Sequence, residues 1–305
     1  MKIFIHTKFQ NPEIQAFKEA LTPKYEVFIG NGENSEANKS QFLGSDICYG
    51  NPPLAWANET TKLQWLQLNS AGLDPYQQLV DYQFQLTNLK GYFGLSVAET
   101  TVAGILAVYR KIDELARLQT QKNWVGTPIR ENLYLLSKKK VLVLGSGAIA
   151  QKIKQLLSGF ECETTLLDSK TVKQITDYLP LTDILISTLP ETTETKGLIS
   201  KEYLEMLNST ALFVNVGRGT NVDEQALIEI LQARRIMGAV LDVTEVEPIP
   251  TESPLWEMEN VLLTQHSSGG WIEESSGKVK FFLENLGRFE RGEELLNMVD
   301  LEKGY

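Results

Sequence analysis

The sequence has few of the residue types that most often bind metals. Two cysteines, Cys48 and Cys162, and two histidines, His6 and His266, occur among its 305 residues. Both cysteines lie in apolar, strand-like stretches without the short spacings of metal-binding motifs, so the sequence predicts neither a disulfide framework nor a metal site. His6 ends the first predicted strand, and we expect a structural role with satisfied hydrogen bonds for it.

Positive charge is also scarce. Lysine and arginine contribute 29 residues against 39 aspartates and glutamates, which gives a net charge of −10. The short basic run at 138–140 directly precedes an apolar strand and is typical of a solvated strand entry. Because nucleic acids bind to basic surfaces, we expect no nucleic-acid partner.

Long hydrophobic runs are absent as well. No stretch reaches the roughly 18 apolar residues of a membrane span, and the chain begins with a strand-like segment rather than an apolar signal core. We therefore expect a cytoplasmic protein without a membrane span. With 42% hydrophobic and 22% charged residues the composition is ordinary for a globular protein, and the length allows two domains.

The strongest pattern in the chain is a strand followed by a glycine turn and a helix. An uninterrupted apolar run at 141–144 predicts a buried strand, and a G-x-G-x-x-A turn follows it directly. In a dinucleotide site, Gly145 allows the tight turn, Gly147 lets the backbone approach a pyrophosphate, and Ala150 lets the helix pack closely on the strand. The N–H groups at the start of the helix would face the phosphates.

A second strand, predicted at 164–167, ends on Asp168. An acid at this distance from the glycine turn is typical of a site that binds the ribose hydroxyls of NAD. Its charge would repel the 2′-phosphate of NADP, so NAD is the expected cofactor, while Lys170 keeps NADP as an alternative. At the end of the next strand, Leu189 and Pro190 would cover the adenosine side.

Strands alternate with helical patterns in both halves of the chain. This alternation predicts an α/β fold, with a mostly parallel sheet in the first half and a doubly wound parallel sheet in the second. Apolar residues at helical spacing predict one long helix over 96–120, with Ser96 and Glu99 as a capping box, and a final helix over 273–290. The predicted strands are 2–6, 25–29, 46–49, 64–68 and 83–86, and then 141–144, 164–167, 184–188, 212–216, 237–242 and 261–264.

Two loops of the first half follow strands and could bind a ligand, because ligands of open α/β sheets bind beyond the carboxyl ends of the strands. One loop is 50–53, and the other contains Asn69, Ser70, Ala71 and Gly72. A turn such as 70–72 can direct backbone N–H groups at a carboxylate. A plain turn without a ligand is the alternative interpretation.

Polar residues also follow strands in the second half, at the same sheet edge as the glycine turn. His266 can give and take a proton near neutral pH, Arg218 can bind a carboxylate and a developing oxyanion, and Glu247 can orient the histidine. Asp242 could hold the nicotinamide carboxamide or a hydrogen-bond network. Glu245 is the alternative to Glu247 as the carboxylate beside the histidine. Together these residues predict reduction of a 2-oxo acid, in which the nicotinamide supplies the hydride and His266 the proton.

The chain resembles the D-isomer-specific 2-hydroxyacid dehydrogenases over nearly its whole length, most strongly from about 96 to 275. Three departures from the family pattern are Ala150 for the third turn glycine, Thr100 for a frequent histidine, and Gln265 for a frequent proline. None of them removes a catalytic group. The motifs that carry the resemblance are 97–99, 145–150, 183–190, 195–199, 214–227, 238–243 with 247–248, and 253–256 leading to His266.

The resemblance implies a Rossmann domain, 93–272, inserted into a flavodoxin-like substrate domain built from 1–92 and 273–305. It implies that Arg218, Glu247 and His266 are catalytic, with Glu247 preferred to Glu245 because a proline follows it, and that the protein is a homodimer. The motif and the resemblance together predict the residues that bind the cofactor: Gly145, Gly147, Ala148, Ile149, Asp168, Leu189, Pro190, Val216, Gly217, Arg218, Asp242, His266 and Ser268. The residues predicted to bind the substrate are Asn69, Ser70, Ala71, Gly72, Arg218 and His266.

The substrate is expected to be a small or apolar 2-oxo acid, because the loops at 50–53 and 69–74 contain no basic residue that phosphoglycerate would need. Glutamate rather than glutamine at position 247 argues against a formate dehydrogenase. Two alternatives stay open. One is an NADP-dependent glyoxylate/hydroxypyruvate reductase, and the other is a dinucleotide-sensing binding protein, like the corepressors of this fold, with little turnover.

Overall fold

The structure, a computed structural model, describes residues 1–22 and 24–301. The chain divides into two compact units: unit 1 holds Met1–Tyr92 and the chain from Trp271 onward, and unit 2 holds Phe93–Gly270. Unit 2 is therefore inserted into unit 1. The assignment of the substrate to unit 1 and of the cofactor to unit 2 stays a prediction.

The first part of unit 1 alternates strands with helices. A 3-10 turn, Asp74–Tyr76, lies between its last two strands. The elements are β1 Lys2–His6, α1 Asn11–Leu21, β2 Glu26–Ile29, α2 Glu36–Leu43, β3 Ile47–Gly50, α3 Leu54–Glu59, β4 Trp65–Gln67 and β5 Gln85–Thr87.

The strands of unit 1 form one parallel sheet in the order β2-β1-β3-β4-β5, which is the flavodoxin-like order. Side chains alternate between the two faces of a strand, and both faces of β1 are buried. Phe4 packs into the core cluster on one face, and Ile3 and Ile5 pack into the cluster on the other. The run of apolar residues in β1 is thus explained by helices on both sides of the sheet.

Unit 2 begins with two helices and then alternates strands with helices. Its elements are α4 Gly94–Tyr109, α5 Ile112–Thr120, β6 Lys140–Leu144, α6 Ala148–Ser158, β7 Glu163–Leu167, α7 Ile175–Tyr178, β8 Ile184–Ser187, α8 Lys201–Glu205, β9 Leu212–Asn215, α9 Glu224–Gln232, β10 Gly238–Leu241 and β11 Val261–Leu263. Unit 1 is then completed by α10, Glu274–Glu290.

The strands of unit 2 form a parallel sheet in the order β11-β10-β9-β8-β6-β7. Leu142 and Leu144 of β6 pack into one core cluster, and Val141 and Val143 pack into the other. The order reverses between β6 and β8, and ligands of such sheets bind at the carboxyl ends of the strands near this point. The predicted fold class, a Rossmann sheet inserted into a flavodoxin-like α/β unit, is confirmed.

The prediction of one long helix over 96–120 is wrong. Helix α4 ends at Tyr109, and α5 begins at Ile112, after Lys111 adopts a left-handed φ of +56°. Tyr109 and Ile112 are three residues apart, so the apolar spacing continues across the break and cannot reveal it. The helices also differ in environment, because α4 is largely buried whereas α5 has no buried residue.

The predicted capping box is wrong as well. Helix α4 begins at Gly94, before Ser96, and the Ser96 hydroxyl lies 3.1 Å from the carbonyl oxygens of Phe93 and Gly269. The predicted strands overlap the observed ones and differ by up to about two residues at their ends, as expected for frayed termini. No helix in the described ranges is long and apolar enough to cross a membrane.

Candidate active site

The carboxyl edge of the unit 2 sheet brings the predicted cofactor and catalytic residues together. Because the strands are parallel, the loops that follow them all leave from the same edge. The residues that follow β6, β7, β8, β9, β10 and β11 include, in that order, Gly145, Asp168, Leu189, Arg218, Asp242 and His266.

The turn after β6 has the backbone shape and the open space that a pyrophosphate needs. Gly145 has a φ of +110°, and a Cβ at this position would lie 2.3 Å from the Thr188 hydroxyl oxygen, so a side chain does not fit. No atom lies within 4 Å of the place where a Cβ of Gly147 would be, as far as the described residues go. Gly147 directly precedes α6, whose first N–H groups have no partner within the helix. These residues fit a dinucleotide phosphate.

Asp168 is bound to its own loop. Its Oδ1 accepts hydrogen bonds from the N–H of Lys170 at 2.9 Å, the N–H of Thr171 at 3.0 Å and the Thr171 hydroxyl at 2.9 Å. The Thr171 hydroxyl, then the backbone N–H groups, lower the pKa of Asp168, so the side chain is a carboxylate. One oxygen is therefore used to shape the loop, while the charge remains at the strand end.

Asn215 shapes the turn after β9. Its buried side chain donates from Nδ2 to the Arg218 carbonyl oxygen at 3.0 Å and accepts at Oδ1 from the Gly217 N–H at 3.1 Å. Gly217 lies so close to the next loop that a Cβ would be 2.5 Å from the Leu189 carbonyl oxygen. Sequence reasoning missed Asn215, although an amide as the last residue of a buried strand was an available signal.

His266 and Glu247 form a close pair. Nδ1 of the ring lies 2.6 Å from Oε2 of Glu247, and the other carboxylate oxygen accepts from the Thr244 N–H at 3.1 Å. The His266 side chain is 54% exposed, and its Nε2 makes no hydrogen bond to any described residue. Glu245 was the alternative partner for His266. Its main-chain N–H donates to Oε2 of Glu224 at 2.7 Å. The pair leaves one ring nitrogen open to a ligand.

Asp242 holds the loop that carries His266. This buried carboxylate accepts at Oδ1 from the Thr264 hydroxyl at 2.6 Å and from the N–H groups of residues 267 and 268, and at Oδ2 from the Ser268 hydroxyl. Its carbonyl oxygen accepts from the His266 N–H at 2.6 Å. Gln265 and His266 have φ values of +56° and +52°, a strained conformation that such a dense set of bonds can maintain. Sequence reasoning missed Thr264, whose contribution depends on this tertiary contact.

Arg218 is half-buried at the end of β9, and its Nη1 donates to the Gly217 carbonyl oxygen at 2.9 Å. Strand β10 lies between β9 and β11, so the strands that precede Arg218 and His266 are about 10 Å apart. A long guanidinium side chain can cover part of such a distance. The placement suits a group that binds the far side of a small molecule whose other side meets the histidine.

A pocket of about 420 Å³ lies beside the His266–Glu247 pair. Leu263, Ile249 and Trp256 contribute apolar walls to it. Its volume falls within the range of about 300–1,000 Å³ that is usual for small-molecule sites.

The loop that follows β4 in unit 1 contains four of the residues predicted to bind the substrate. The N–H of Asn69 donates to Oδ1 of Asn51 at 3.0 Å, and its side-chain amide donates to the Thr7 hydroxyl oxygen at 2.5 Å. Ser70, Ala71 and Gly72 are half-buried. Because Arg218 and His266 belong to unit 2, the predicted substrate residues are divided between the two units.

His6 is buried at the end of β1, with its ring centroid 5.6 Å from that of Phe4 and 5.3 Å from that of Trp56. Burial lowers its pKa, and a side-chain hydrogen bond with Asn34 opposes the shift. The expectation of satisfied hydrogen bonds is wrong for Nδ1, which has no partner among the described residues. Aromatic packing, rather than a full set of hydrogen bonds, keeps this side chain in place.

The cysteines are both free, with Cys48 buried and Cys162 partly buried. Within residues 1–22 and 24–301, no group of three or more histidine, cysteine, aspartate or glutamate side chains could hold a metal ion.

Comparison with protein families gives one match that covers more than half of the chain. The model described as "D-isomer specific 2-hydroxyacid dehydrogenase, NAD binding domain" matches residues 102–268. Glyoxylate/hydroxypyruvate reductase A of Citrobacter koseri is 29% identical over 245 residues, which cover 76% of this chain and 77% of that protein.

Two solved structures are similar over nearly the whole chain. A D-isomer-specific 2-hydroxyacid dehydrogenase family protein from Aeromonas salmonicida has a TM-score of 0.84 and 25% identity, covering 98% of this chain and 99% of that one. A D-isomer-specific 2-hydroxyacid dehydrogenase from Xanthobacter autotrophicus Py2, solved with NADPH and MES, has a TM-score of 0.81 and 26% identity, covering 100% and 99%.

Proposed function

We propose a specific reaction for this chain, which belongs to the D-isomer-specific 2-hydroxyacid dehydrogenase family and is therefore an NAD(P)-dependent oxidoreductase of 2-hydroxy acids. In this reaction a small 2-oxo acid, NADH and a proton give the D-2-hydroxy acid and NAD⁺. The observation that carries the proposal is the His266–Glu247 pair, 2.6 Å apart at the same sheet edge as the glycine turn.

His266 is the proposed acid and base. Glu247 binds Nδ1 and orients the ring, which leaves Nε2 to donate a proton to the substrate carbonyl oxygen and to take it back in the reverse direction. When bound, the nicotinamide supplies the hydride that reduces the carbonyl carbon. Asp242 holds the main chain of the histidine loop, so the ring keeps its position through the reaction.

Arg218 and the loop of residues 69–72 are the proposed binding groups for the negative charges of the substrate. The guanidinium offers a planar set of donors to the carboxylate and to the carbonyl oxygen, which gains negative charge as the hydride arrives. The turn at 70–72 offers main-chain N–H groups to the carboxylate.

NAD is the proposed cofactor. Gly145, Gly147 and the first residues of α6, Ala148 and Ile149, would bind the pyrophosphate, and Asp168 would accept from the ribose hydroxyls. Its carboxylate would repel a 2′-phosphate. The further contacts proposed for the cofactor are Leu189, Pro190, Val216, Gly217, Arg218, Asp242, His266 and Ser268.

NADP is the alternative cofactor, and glyoxylate or hydroxypyruvate the corresponding alternative substrate. Lys170 lies two residues beyond Asp168 and could bind a 2′-phosphate. The relative from Xanthobacter autotrophicus was solved with NADPH, and the one from Citrobacter koseri is named for glyoxylate and hydroxypyruvate. A corepressor-like binding protein with little turnover is less well supported, because such a role needs no oriented His266–Glu247 pair.

A homodimer formed through unit 2 is proposed on the basis of exposed apolar side chains. Trp124 is 93% exposed and Leu135 68%, and on α5 Ile112 is 55% and Leu115 43% exposed. These residues belong to one stretch of unit 2, 112–135, and exposed large apolar side chains are typical of an interface with another chain. A cytoplasmic location stays a prediction.

The test of the proposed function is NADH oxidation, followed by absorbance, against a panel of 2-oxo acids. The panel runs from glyoxylate, hydroxypyruvate and pyruvate to branched and phenyl-substituted acids, each repeated with NADPH. We expect a clear rate with at least one member and a higher kcat/KM with NADH. No rate with any member, together with NADH binding detected by fluorescence, would contradict the proposal and favour the binding protein.

A further inference from the structure

The turn at residues 70–72 has an unusual arrangement of its backbone groups. In the part of the chain that the structure describes, the N–H groups of Ser70, Ala71 and Gly72 donate no hydrogen bond. Successive backbone N–H groups of a turn can form a positively polarised concavity that binds anions. Residues 70–72 are only half-buried, so a ligand can reach this turn and accept from N–H groups that no other described residue uses.

The carbonyl oxygens of the same residues are all used. The Ser70 carbonyl accepts from the Leu89 N–H at 2.9 Å, and the Gly72 carbonyl accepts from the Ser70 hydroxyl at 3.0 Å. The Ala71 carbonyl accepts from Nδ2 of Asn88 at 2.8 Å. Two of these donors, Leu89 and Asn88, come from the segment that follows β5, and the third is the Ser70 hydroxyl of the turn itself. The carbonyl oxygens of the turn therefore have partners, whereas its three N–H groups have none among the described residues.

Asn88 is the side chain that holds the middle of this turn. It is 3% exposed, and while Nδ2 donates to Ala71, Oδ1 accepts from the Lys90 N–H at 3.0 Å. Its main chain is paired with Asn297, whose carbonyl oxygen accepts from the Asn88 N–H at 3.2 Å. The side-chain amide of Asn297 donates to the carbonyl oxygens of Asn88 at 3.3 Å and Lys90 at 2.8 Å. The amide of Asn88 therefore has little freedom to turn away from Ala71.

We propose that Asn88 is a positioning residue for the substrate: its amide holds the Ala71 carbonyl so that the N–H groups of Ser70, Ala71 and Gly72 stay directed at the substrate carboxylate. This inference rests on the proposed function, since it assigns the carboxylate to the 70–72 turn. Asn88 acts through the turn and touches neither the substrate nor the cofactor. Its loss weakens substrate binding and leaves the chemistry at His266 intact.

The test is Asn88→Leu, which removes the donor without adding charge. Asn208→Leu in unit 2 is the matched control, because Asn208 also donates from Nδ2 to a main-chain carbonyl, that of Thr182 at 2.9 Å, and accepts at Oδ1 from the N–H two residues later. We expect Asn88→Leu to raise KM for the 2-oxo acid about tenfold or more, with kcat and the Kd for NADH nearly unchanged. Asn208→Leu should leave KM unchanged, although both variants lower stability.

A second variant and a second measurement keep the inference testable if Asn88→Leu fails to fold. Asn297→Ala, which loosens the support of Asn88, should raise KM in the same direction by a smaller factor. In NMR spectra of the wild-type chain, oxamate, a non-reducible mimic of a 2-oxo acid, should shift the amide signals of Ser70, Ala71 and Gly72. These shifts should weaken in either variant.

The outcomes separate this inference from the proposed function. If the wild type reduces a 2-oxo acid and the Asn88 or Asn297 variant keeps a wild-type KM, the positioning role is wrong while the reaction stands. If oxamate shifts the turn amides and the variants weaken the shift, but no 2-oxo acid is reduced, the positioning role stands and the proposed reaction is wrong. A fall in kcat at unchanged KM would also overturn the positioning role.

Discussion

The carboxyl edges of the two sheets each carry one of the two histidines of the chain, in contrasting environments. His6, the last residue of β1 in unit 1, is 4% exposed and lies between the rings of Phe4 and Trp56. His266, beyond β11 in unit 2, has a half-exposed side chain and contacts Glu247 through Nδ1. The same residue type at the same kind of sheet position therefore packs against aromatic rings in one unit and pairs with a carboxylate in the other.

The difference shows what a histidine needs in order to act as an acid and base. Burial lowers the pKa of His6, so its neutral form is favoured, and its ring is closed to solvent and substrate. His266 has an open ring nitrogen and a carboxylate that orients the ring. Exposure and orientation, rather than residue type, distinguish the proposed reactive histidine from the structural one.

The largest effect is expected from replacing His266 itself. We expect His266→Ala to lower kcat by about 10²- to 10⁴-fold, the usual contribution of a positioned acid and base, while NADH still binds. The measurement is steady-state turnover with the best 2-oxo acid, together with NADH fluorescence titration. His6→Gln is the control and should retain nearly all of the turnover. Equal loss in the two variants would show that the two histidines do not differ as described.

Replacing the partner of His266 tests orientation separately from proton transfer. Glu247→Gln keeps a hydrogen-bonding group beside Nδ1 but removes the charge, and we expect kcat to fall roughly ten- to hundredfold. Glu245→Gln removes a neighbouring carboxylate of the same loop and should change kcat little. If Glu245→Gln caused the larger loss, the assignment of the partner would be wrong.

Asp168 tests the effect of charge elsewhere on the same sheet edge. Asn at this position can still accept from the N–H groups of Lys170 and Thr171, so Asp168→Asn changes the charge and preserves the loop. We expect the ratio of kcat/KM for NADPH to that for NADH to rise about tenfold, because the carboxylate that would repel a 2′-phosphate is removed. Lys170→Ala should move the ratio in the opposite direction. An unchanged ratio in both variants would show that this loop does not discriminate between NADH and NADPH.

The smallest expected effect concerns the pH dependence of stability at His6. Since burial lowers its pKa below the ordinary value of about 6.5, the unfolded chain binds a proton that the folded protein binds less readily. The stabilising contribution is therefore present above about pH 6.5 and is lost as the pH falls below that value. Urea unfolding at several pH values should show that the free energy of unfolding falls less steeply with decreasing pH for His6→Gln than for the wild type. A parallel loss in both would mean that His6 titrates normally.

Local patterns in the sequence predicted the features that depend on neighbouring residues. The G-x-G-x-x-A turn, the buried strands and Asp168 all follow from short-range spacing, and the fold class follows from their alternation. The pairing of Glu247 with His266 joins residues 19 positions apart. It was suggested by the position of both residues beyond strand ends, and the family resemblance selected Glu247 over Glu245. The break at Lys111 left the apolar spacing intact and gave no signal.

Features that depend on distant residues could not be predicted from one sequence. Asn88 holds a carbonyl 17 residues away, and Asn215 and Thr264 act through turns whose shape is known only in the folded chain. Of these residues, only Asn215 had a local signal, as an amide at the end of a buried strand, and even there the sequence does not show which groups the amide binds. Polar side chains that support a site are therefore harder to identify than those that carry its chemistry.

The most direct test of the central claim is the transfer of deuterium from NADH labelled at both C4 positions of the nicotinamide. The 2-oxo acid with the highest rate is reduced, and the product is analysed by mass spectrometry and chiral chromatography. We expect a D-2-hydroxy acid that carries one deuterium at C2 and is formed in equal amount to the NAD⁺. A product without deuterium, an L-hydroxy acid, or NADH consumption without a hydroxy acid would contradict it.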